Sequence, residues 1–477
     1  MDLDRFRHEA HAVVDWMADY LQAVGRERIV PEVEPGRIRA ALPSEPPTIG
    51  EPFERIRADF DRLIYPGLTH WAHPGFFGYF PANHSPPSIL AEMMTSALGV
   101  QAMSWQTSPA ATELEQVVME WLRRMMGLPE GFVGVIQDYA STATLVSLIT
   151  GRERVRDRLD RAVLYLSSEA HSSVAKGGRL AGFLPERIRT VPVDERYALR
   201  PDALAAMIEE DRARGLVPAA VVATVGTTSS TALDPLEAIG RIARREGLWF
   251  HVDAAFGGSA AIVPEMRWIL DGVEHADSLV MNPHKWLLVN FDCSAYFVRD
   301  PEALRRTFST SPAYLQTKHD DAVVNFRDWG IPLGRRFRAL KLWFVIRSYG
   351  VAGLQTMIRE HIRLGRLFAS WVEADPDLEL MAPAPIGLVC FRWRPGGASL
   401  SDDELNQANK LLLERINAPG DVFLTHTLLG ERFVIRLALG HLSTTEEMVR
   451  RVWERVAQGV GNRESGIGIR RGIGNRV

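Results

Sequence analysis

Short apolar runs alternate with helical segments between residues 132 and 298, and this limits the fold more than any other feature of the sequence. Residues 132–137, 162–166, 188–193, 219–225, 248–252, 277–281 and 294–298 each read as strands, too apolar for one face to meet water. Strands covered on both faces read this way, and helical connections between them are the mark of a mostly parallel sheet with helices on both sides. The unit at 219–252 is the clearest. Asp234 is placed to cap a helix, Pro235 to occupy its first position and Glu237 to complete a capping box, while Gly247 ends the helix directly before the next strand.

Open sheets of this kind bind ligands beyond the carboxyl ends of their strands. His171, Thr228, Asp253 and Lys285 all fall at such ends. A lysine after an apolar strand is ordinarily a surface residue, but here Asp253 closes the strand before it. Pro283 stops a helix from running into Met281-Asn282-Pro283-His284-Lys285-Trp286, and His284 and Trp286 are expected to bracket the amine with flat rings. A lysine that forms a Schiff base and a carboxylate that pairs with a pyridinium nitrogen are what a pyridoxal phosphate site requires. Lys285 is therefore the expected covalent anchor. The turn at 138–141 opens a helix whose small and hydroxyl residues suit an anion at free N–H groups, although Ser and Thr cap helices widely.

Composition narrows the alternatives. A chain of 477 residues exceeds what one hydrophobic core usually spans. Its net charge of −4 gives no electrostatic case for nucleic acid or an acidic membrane surface. Two cysteines, Cys293 and Cys390, make no disulfide framework and suit a reducing compartment. The charged start, Met1-Asp2-Leu3-Asp4-Arg5, is unlike a secretory signal, and no apolar stretch is long enough to span a bilayer. A cytoplasmic location is expected. His171, His251, His284 and Asp253 lack the spacing of a metal site, so no metal is expected.

The flanks are less regular. Leu3, Phe6, Ala10, Val13, Val14, Met17 and Leu21 predict an amphipathic helix, followed by a proline-rich link and a second helix over 53–64. This arm is too thin to hold its own core and is expected to pack on the main body or on a second subunit. Residues 69–87 are dense in aromatics, Gly and Pro; Trp71, Phe76, Phe77, Tyr79 and Phe80 could line a pocket there, although packing is the commoner use of such residues. Helices are expected over 88–98 and 111–126, and the polar, aperiodic 308–326 reads as a lid. A helix carrying Arg335, Arg336, Arg338 and Lys341 should follow, then another over 354–367. Beyond residue 370 a smaller α/β region is expected, with strands at 387–392 and 433–437 and helices at 402–416 and 445–457. The tail from 464 has no core-forming pattern.

Taken together, HWAHPGFFGYFP (70–81), SSEAHSSVAKGG (167–178), ATVGTTSSTALDP (223–235), HVDAAFGGSA (251–260), NPHKWLLVNFDCSA (282–295) and IPLGRRFRALKLWFVIRSYGVAGLQ (331–355) resemble the pyridoxal-phosphate group II decarboxylases. The similarity is greatest to aromatic-L-amino-acid decarboxylases and runs from the arm to about residue 457. It implies the fold-type I, aspartate aminotransferase-like architecture. A helical arm (1–85) would embrace a partner subunit, followed by a large cofactor domain (86–360) and a small domain (361–477). It also implies a homodimer with its active sites at the interface.

By the same resemblance, Lys285 carries the cofactor, Asp253 holds its ring nitrogen protonated, and His171 and Ala255 cover the two faces of its ring. Thr228 orients Asp253 or the cofactor, and Ala140, Ser141, Asn282 and His284 supply phosphate- and substrate-side contacts. Tyr314 matches the tyrosine that protonates Cα after CO₂ leaves. Trp71, Tyr79, Phe80 and Pro81 belong to the substrate side, as do Gln101 and Met103 from across the interface, and Gly334, which matches members that admit indole. Related aldehyde synthases carry Phe at the Tyr314 position or Asn at the His171 position, so decarboxylation of an aromatic amino acid is the expected reaction. Oxidative formation of an aldehyde at the same site is the alternative. An aminotransferase would share Lys285 and Asp253 but need an α-keto acid; a non-enzymatic scaffold would not need either residue intact. The chain departs from the family at Asp138-Tyr139, where Gly-Ser is usual, and at Gln101 and Met103, where animal relatives have Ile and Phe.

Overall fold

The computed structural model describes residues 1–310, 318–320, 322–396 and 400–461. Its larger sheet contains β1 (Val133–Gln137), β2 (Ala162–Ser167), β3 (Ile188–Val191), β4 (Val217–Thr224), β5 (Trp249–Asp253), β6 (Ser278–Met281) and β7 (Ser294–Val298). These run in the order β1-β7-β6-β5-β4-β2-β3. Strands β2 to β6 are parallel, and β7 is antiparallel to both its neighbours. The sheet is thus mostly parallel, as its apolar pattern predicts. The exception has a local cause: β6 and β7 are joined by residues 282–293, which hold one helical turn where a parallel return needs a full crossover.

Helices α1 (Leu3–Ala23), α2 (Arg37–Ala41), α3 (Phe53–Asp59), α4 (Pro86–Leu98) and α5 (Pro109–Met126) precede the sheet. Within it come α6 (Ala140–Arg152), α7 (Ser172–Leu180), α8 (Pro201–Ala213), α9 (Leu236–Glu246) and α10 (Pro283–Trp286). The sheet's two faces bury alternate residues. Val163, Tyr165, Val221 and Phe250 pack with residues of α5, α8 and α9, while Leu164, Leu166, Val222 and Trp249 pack with α6 and α7. That two-sided burial is why the strands read as unbroken apolar runs. Helix α6 lies close enough to β5 that a Cβ on Gly151 would sit 2.5 Å from Trp249, whose Nε1 donates to Ser147 Oγ at 2.8 Å. This contact fixes the axis of α6, and with it the helix N-terminus at Ala140.

After α11 (Pro301–Phe308), the long α12 (Ala339–Ala374) is broken at Gly350, where φ is +64°. It leads to a four-stranded antiparallel sheet, β10-β11-β9-β8, made from β8 (Leu378–Leu380), β9 (Leu388–Trp393), β10 (Thr425–Leu429) and β11 (Arg432–Ala438). Helices α13 (Asp402–Asn417) and α14 (Glu446–Val460) pack on it. The N-terminal region is tied to this sheet's edge by Ile29 N donating to Gly420 O and Phe77 N to Phe423 O, both at 2.9 Å. Rings of α1, Trp16 and Tyr20, pack against Phe60 and Tyr65, while Leu3, Phe6 and Val14 stay exposed.

Two helix starts differ from the expected ones. Asp234 does not cap α9, whose N-cap is Pro235. Its buried carboxylate instead accepts from Leu199 N and Thr224 N, both at 2.7 Å, and burial pushes its pKa up to about 7. Glu237 pairs with Arg241 and His275. Likewise Arg335, Arg336 and Arg338 precede α12, and only Lys341 of that group is helical. Arg335 is drawn inward by an ion pair with the buried Glu115 at 2.6 Å, and it also donates to Ile136 O. A charge-for-charge contact at that depth outweighs helical spacing.

Candidate active site

Three parallel strands deliver the central groups. Asp253 is the last residue of β5, Gly226 and Thr228 follow β4, and Asn282, His284 and Lys285 follow β6. From the other side come His171, the N-cap of α7, and Ala140 and Ser141 at the start of α6. All of these, with Ala255 and Tyr139, line one cavity of about 210 Å³.

The electrostatics of this cavity favour neutral bases beside one carboxylate. Burial lowers the pKa of the Lys285 amine, and the field of Asp253 opposes that only in part. The amine is thus more readily the uncharged nucleophile than an exposed lysine is. His171 is held below its ordinary pKa by burial. Its Nδ1 accepts from Ser173 N at 3.2 Å and lies 2.7 Å from Ser173 Oγ, which leaves the ring proton on Nε2. His284 is depressed further, to about 3, first by burial and then by Lys285. Its Nδ1 accepts from Cys293 N at 3.0 Å, so it too offers an Nε2–H rather than a charge. One oxygen of Asp253 accepts from Ala255 N at 3.0 Å, leaving the other for a ligand.

The unusual Asp138 does not line the cavity. Its Oδ1 accepts from Tyr139 N at 2.8 Å, its carbonyl accepts from Ser294 Oγ at 3.1 Å, and its charge faces the field of Arg338. Tyr139 lines the cavity instead, with its ring 5.2 Å from that of Phe291.

This donor set fits pyridoxal phosphate. It combines a buried amine for the aldehyde, a carboxylate for the ring N–H⁺, and the free N–H groups of a 13-residue helix for the phosphate.

A second cavity, of about 540 Å³, opens beside the first and shares Phe80, His171, Thr228, His284 and Lys285 with it. Trp71, Tyr79, Phe80 and Pro81 line it, with the Trp71 and Tyr79 rings stacked at 5.6 Å, whereas Phe76 and Phe77 are buried and pack instead of lining it. Gln101, Met103 and Gly334 line neither cavity within this chain. Gln101 Oε1 accepts from Arg335 N at 2.6 Å, beside Gly334, and Met103 O accepts from Arg327 N at 2.8 Å. Tyr314 lies outside the described residues, as do the rest of 311–317 and the tail from 462.

Trp286 does not bracket the amine. It is fully buried, stacked on Phe256 at 4.8 Å, and its Nε1 donates to His361 Nδ1 at 2.9 Å. The ring beside the Lys285 amine is that of Phe80, at 5.2 Å.

Sequence reasoning passed over Phe291, which lines the second cavity, and Arg436 of β11. The Arg436 guanidinium is buried, 5.4 Å from the Phe80 ring, and donates to Ser229 O, Thr228 O and Thr425 Oγ1. A signal was present, since an arginine inside the apolar run of 433–439 is costly without a purpose.

Fold and site together define a fold-type I pyridoxal-phosphate enzyme. The pyridoxal-dependent decarboxylase conserved domain matches residues 35–394, and the chain belongs to that family. It is accordingly a pyridoxal-phosphate-dependent carboxy-lyase. It is 43% identical to a phenylacetaldehyde synthase of Arabidopsis thaliana, with 96% of each chain covered. It is 42% identical to an aromatic-L-amino-acid decarboxylase of Catharanthus roseus, covering 96% of this chain and 94% of that one. A solved structure of Oryza sativa TDC with PLP and tryptamine superposes with a TM-score of 0.94 at 39% identity, covering 96% of this chain and 98% of the other.

Proposed function

We propose that this enzyme decarboxylates aromatic L-amino acids to the corresponding arylalkylamines. The observation that carries this reading is the continuity of two cavities: the one holding Lys285 and Asp253 opens into a chamber walled by Trp71, Tyr79, Phe80 and Phe291. Flat apolar walls select a flat apolar side chain, and the shared Lys285 and His171 put its α-carbon at the reacting end.

When bound at Lys285, pyridoxal phosphate supplies the sink for the electron pair left behind as CO₂ departs. The chain supplies the rest. Lys285 would carry the group on an amine whose pKa burial lowers, and Asp253 would hold a proton at its ring nitrogen. The first turn of α6 would hold the phosphate through Ala140 and Ser141, with Asn282 and His284 supplying further contacts. Thr228 lines the same cavity with its carbonyl held by Arg436. His171 and Ala255, which line the same cavity, would cover the two faces of the cofactor ring. Arg436, which among the described residues donates to no carboxylate, is suited to an anionic group of the substrate. Tyr314 is the proposed donor of the proton to Cα.

Identity alone does not separate decarboxylase from aldehyde synthase, since relatives of both names match equally well. His171 and Tyr314 favour the simple decarboxylation. Supplying purified, cofactor-loaded protein with tryptophan, tyrosine, DOPA and phenylalanine distinguishes the two. Amine and CO₂ in equal amounts support the proposal. Aldehyde, ammonia and peroxide, formed with consumption of one O₂ per CO₂, would replace it with the oxidative reaction.

The same reading includes a homodimer with active sites at the interface, residues 1–85 embracing the partner, and a division into 86–360 and 361–477. Leu90, Met94 and Leu98 support it as an exposed apolar stripe on α4, directly before Gln101. Gln101, Met103 and Gly334 then serve the partner's chamber. A cytoplasmic location is part of the proposal; among the described residues no helix is long and apolar enough to cross a membrane. Sedimentation at micromolar concentration tests the dimer, a monomer being the adverse result.

A further inference from the structure

Lys285 stands on α10, a helix of one turn, and so short a helix leaves most of its carbonyls without an internal partner. The segment leading into α4 supplies them. Asn83 N donates to His284 O at 3.2 Å, and Asn83 Nδ2 donates to Lys285 O at 2.6 Å. Ser85 Oγ donates to Leu288 O at 2.7 Å, where the backbone takes a positive φ of +61° that a leucine rarely adopts. Ser88 Oγ accepts from Asn290 N at 2.9 Å. Residues 83–88 therefore lie along 284–290 as a splint, and the three side chains are buried, Asn83 to 2% exposure.

Asn83 also reaches the other sheet. Its Nδ2 donates to Gly440 O at 2.8 Å, and its Oδ1 accepts from Leu442 N at 2.9 Å. Both residues lie in the connection between β11 and α14. Gly440 sits there at φ +139°, so close to the lysine turn that a Cβ on it would lie 2.9 Å from the Trp286 ring. One amide thus satisfies two carbonyls and one N–H belonging to two parts of the fold. No other side chain of this size offers two donors and an acceptor together. A carboxylate would face both carbonyls with like charge, and an aliphatic group would leave all three partners unpaired in a buried place.

We propose that Asn83 is a positioning residue for Lys285, its amide fastening the lysine turn to the β11–α14 connection so that the seat of the four-stranded sheet sets the seat of the amine. This rests on Lys285 as the residue that carries the cofactor.

The test uses the full chain loaded with pyridoxal phosphate, comparing the parent with Asn83→Ala and Asn83→Ser. The visible band of the lysine-bound cofactor is titrated with pH, kcat and KM for L-tryptophan are measured separately, and melting is followed. Asn83→Ala is expected to lower kcat on the order of tenfold while KM stays within about threefold, since misplacing a reacting group costs rate more than binding. The pH midpoint of the band should move by about half a unit or more, because the amine's surroundings change. Asn83→Ser, which keeps one donor and one acceptor, should recover part of both effects. A lower melting temperature with the parent's kcat and midpoint would reduce Asn83 to a packing role and overturn the proposal. Should Asn83→Ala fail to fold, Asn83→Ser carries the same test: a smaller displacement in the same direction supports the proposal and an unmoved midpoint overturns it. Absence of the band in the parent would instead overturn the reading of Lys285, before any variant is compared.

Discussion

Asp253 and Lys285 meet in one cavity at the ends of adjacent strands, whereas Gln101, Met103 and Gly334 gather around Arg335 and Arg327 and reach neither cavity. The first group is placed by the sheet. Parallel strands in register carry their last residues to one edge, and β5 and β6 pair Asp253 with Val280, just before the lysine turn. The second group is placed by loops and by a buried ion pair, Arg335 with Glu115, that belongs to the scaffold. The groups placed by the sheet meet within one chain; on the proposed dimer reading, selectivity that sits on loops depends on a second one.

The sharpest test of this contrast is at the lysine. Lys285→Ala should leave no turnover above background and no covalently held cofactor after borohydride reduction. Robust activity in that variant would remove the sheet-borne group from the chemistry altogether. The next effect is at its partner. Asp253→Asn keeps the shape but loses the charge, and should lower kcat on the order of 10²–10³-fold, the scale of losing one preorganised electrostatic contact. The sign for the amine follows as well. Asp253 is the charge that raises the Lys285 pKa against burial, so removing it should let that pKa fall further. Titration of the variant's amine with an aldehyde reagent would show this, and a rise would contradict the arrangement.

Much of the site is legible because strand ends are fixed by topology and show in the sequence as the places where unbroken apolar runs stop. His171, Thr228, Asp253 and Lys285 were accessible for that reason. Residues whose partners come from elsewhere in the chain were not. Trp286 neighbours the lysine in sequence, but one helical turn sends it to Phe256 and His361, and Phe80 takes the place expected for its ring. Arg436 arrives from the other sheet, and Asn83 acts through hydrogen bonds to residues more than 200 positions away, which no local pattern encodes. Asp234 shows the same limit at a helix end: a plausible cap in sequence, it is taken by the amides of Leu199 and Thr224.

The two groups should also differ in their response to acid. Buried histidines lie in the core, His284 and His441 at about 3 and His251 and His361 at about 4, each depressed mainly by burial from an ordinary value of 6.5. Between those values and 6.5 the unfolded chain binds protons that the folded chain does not. The histidines' contribution is therefore full above pH 6.5 and lost as pH falls toward 4, by up to about 1.4 kcal/mol per pH unit for each, opposed over the same range by the raised carboxyl of Asp234. Urea melts from pH 7.5 to 4.5 should show midpoints falling steadily below 6.5. His284→Asn, which is smaller but can keep an acceptor for Cys293 N without a titrating ring, should flatten that slope, and an unchanged slope would show that His284 is not among the groups responsible.

The smallest effect belongs to the loop-borne group and asks whether it matters at all. A Cβ on Gly334 would lie 3.3 Å from Gln101 Nε2, a tight contact with the far end of a flexible side chain rather than with backbone. Gly334→Ser should therefore fold normally, with Gln101 yielding by a few tenths of an ångström. Arg335 N, which donates to Gln101 Oε1, should feel that shift. If Gly334 and Gln101 face the partner's chamber, the serine narrows it and adds a hydroxyl there. The ratio of kcat/KM for tryptophan over tyrosine should then fall by about 2- to 10-fold, the scale of one small group in a pocket, with kcat for tyrosine little changed. An unaltered ratio would mean that this cluster serves neither chamber, and would confine selectivity to Trp71, Tyr79, Phe80 and Phe291, the walls each chain builds for itself.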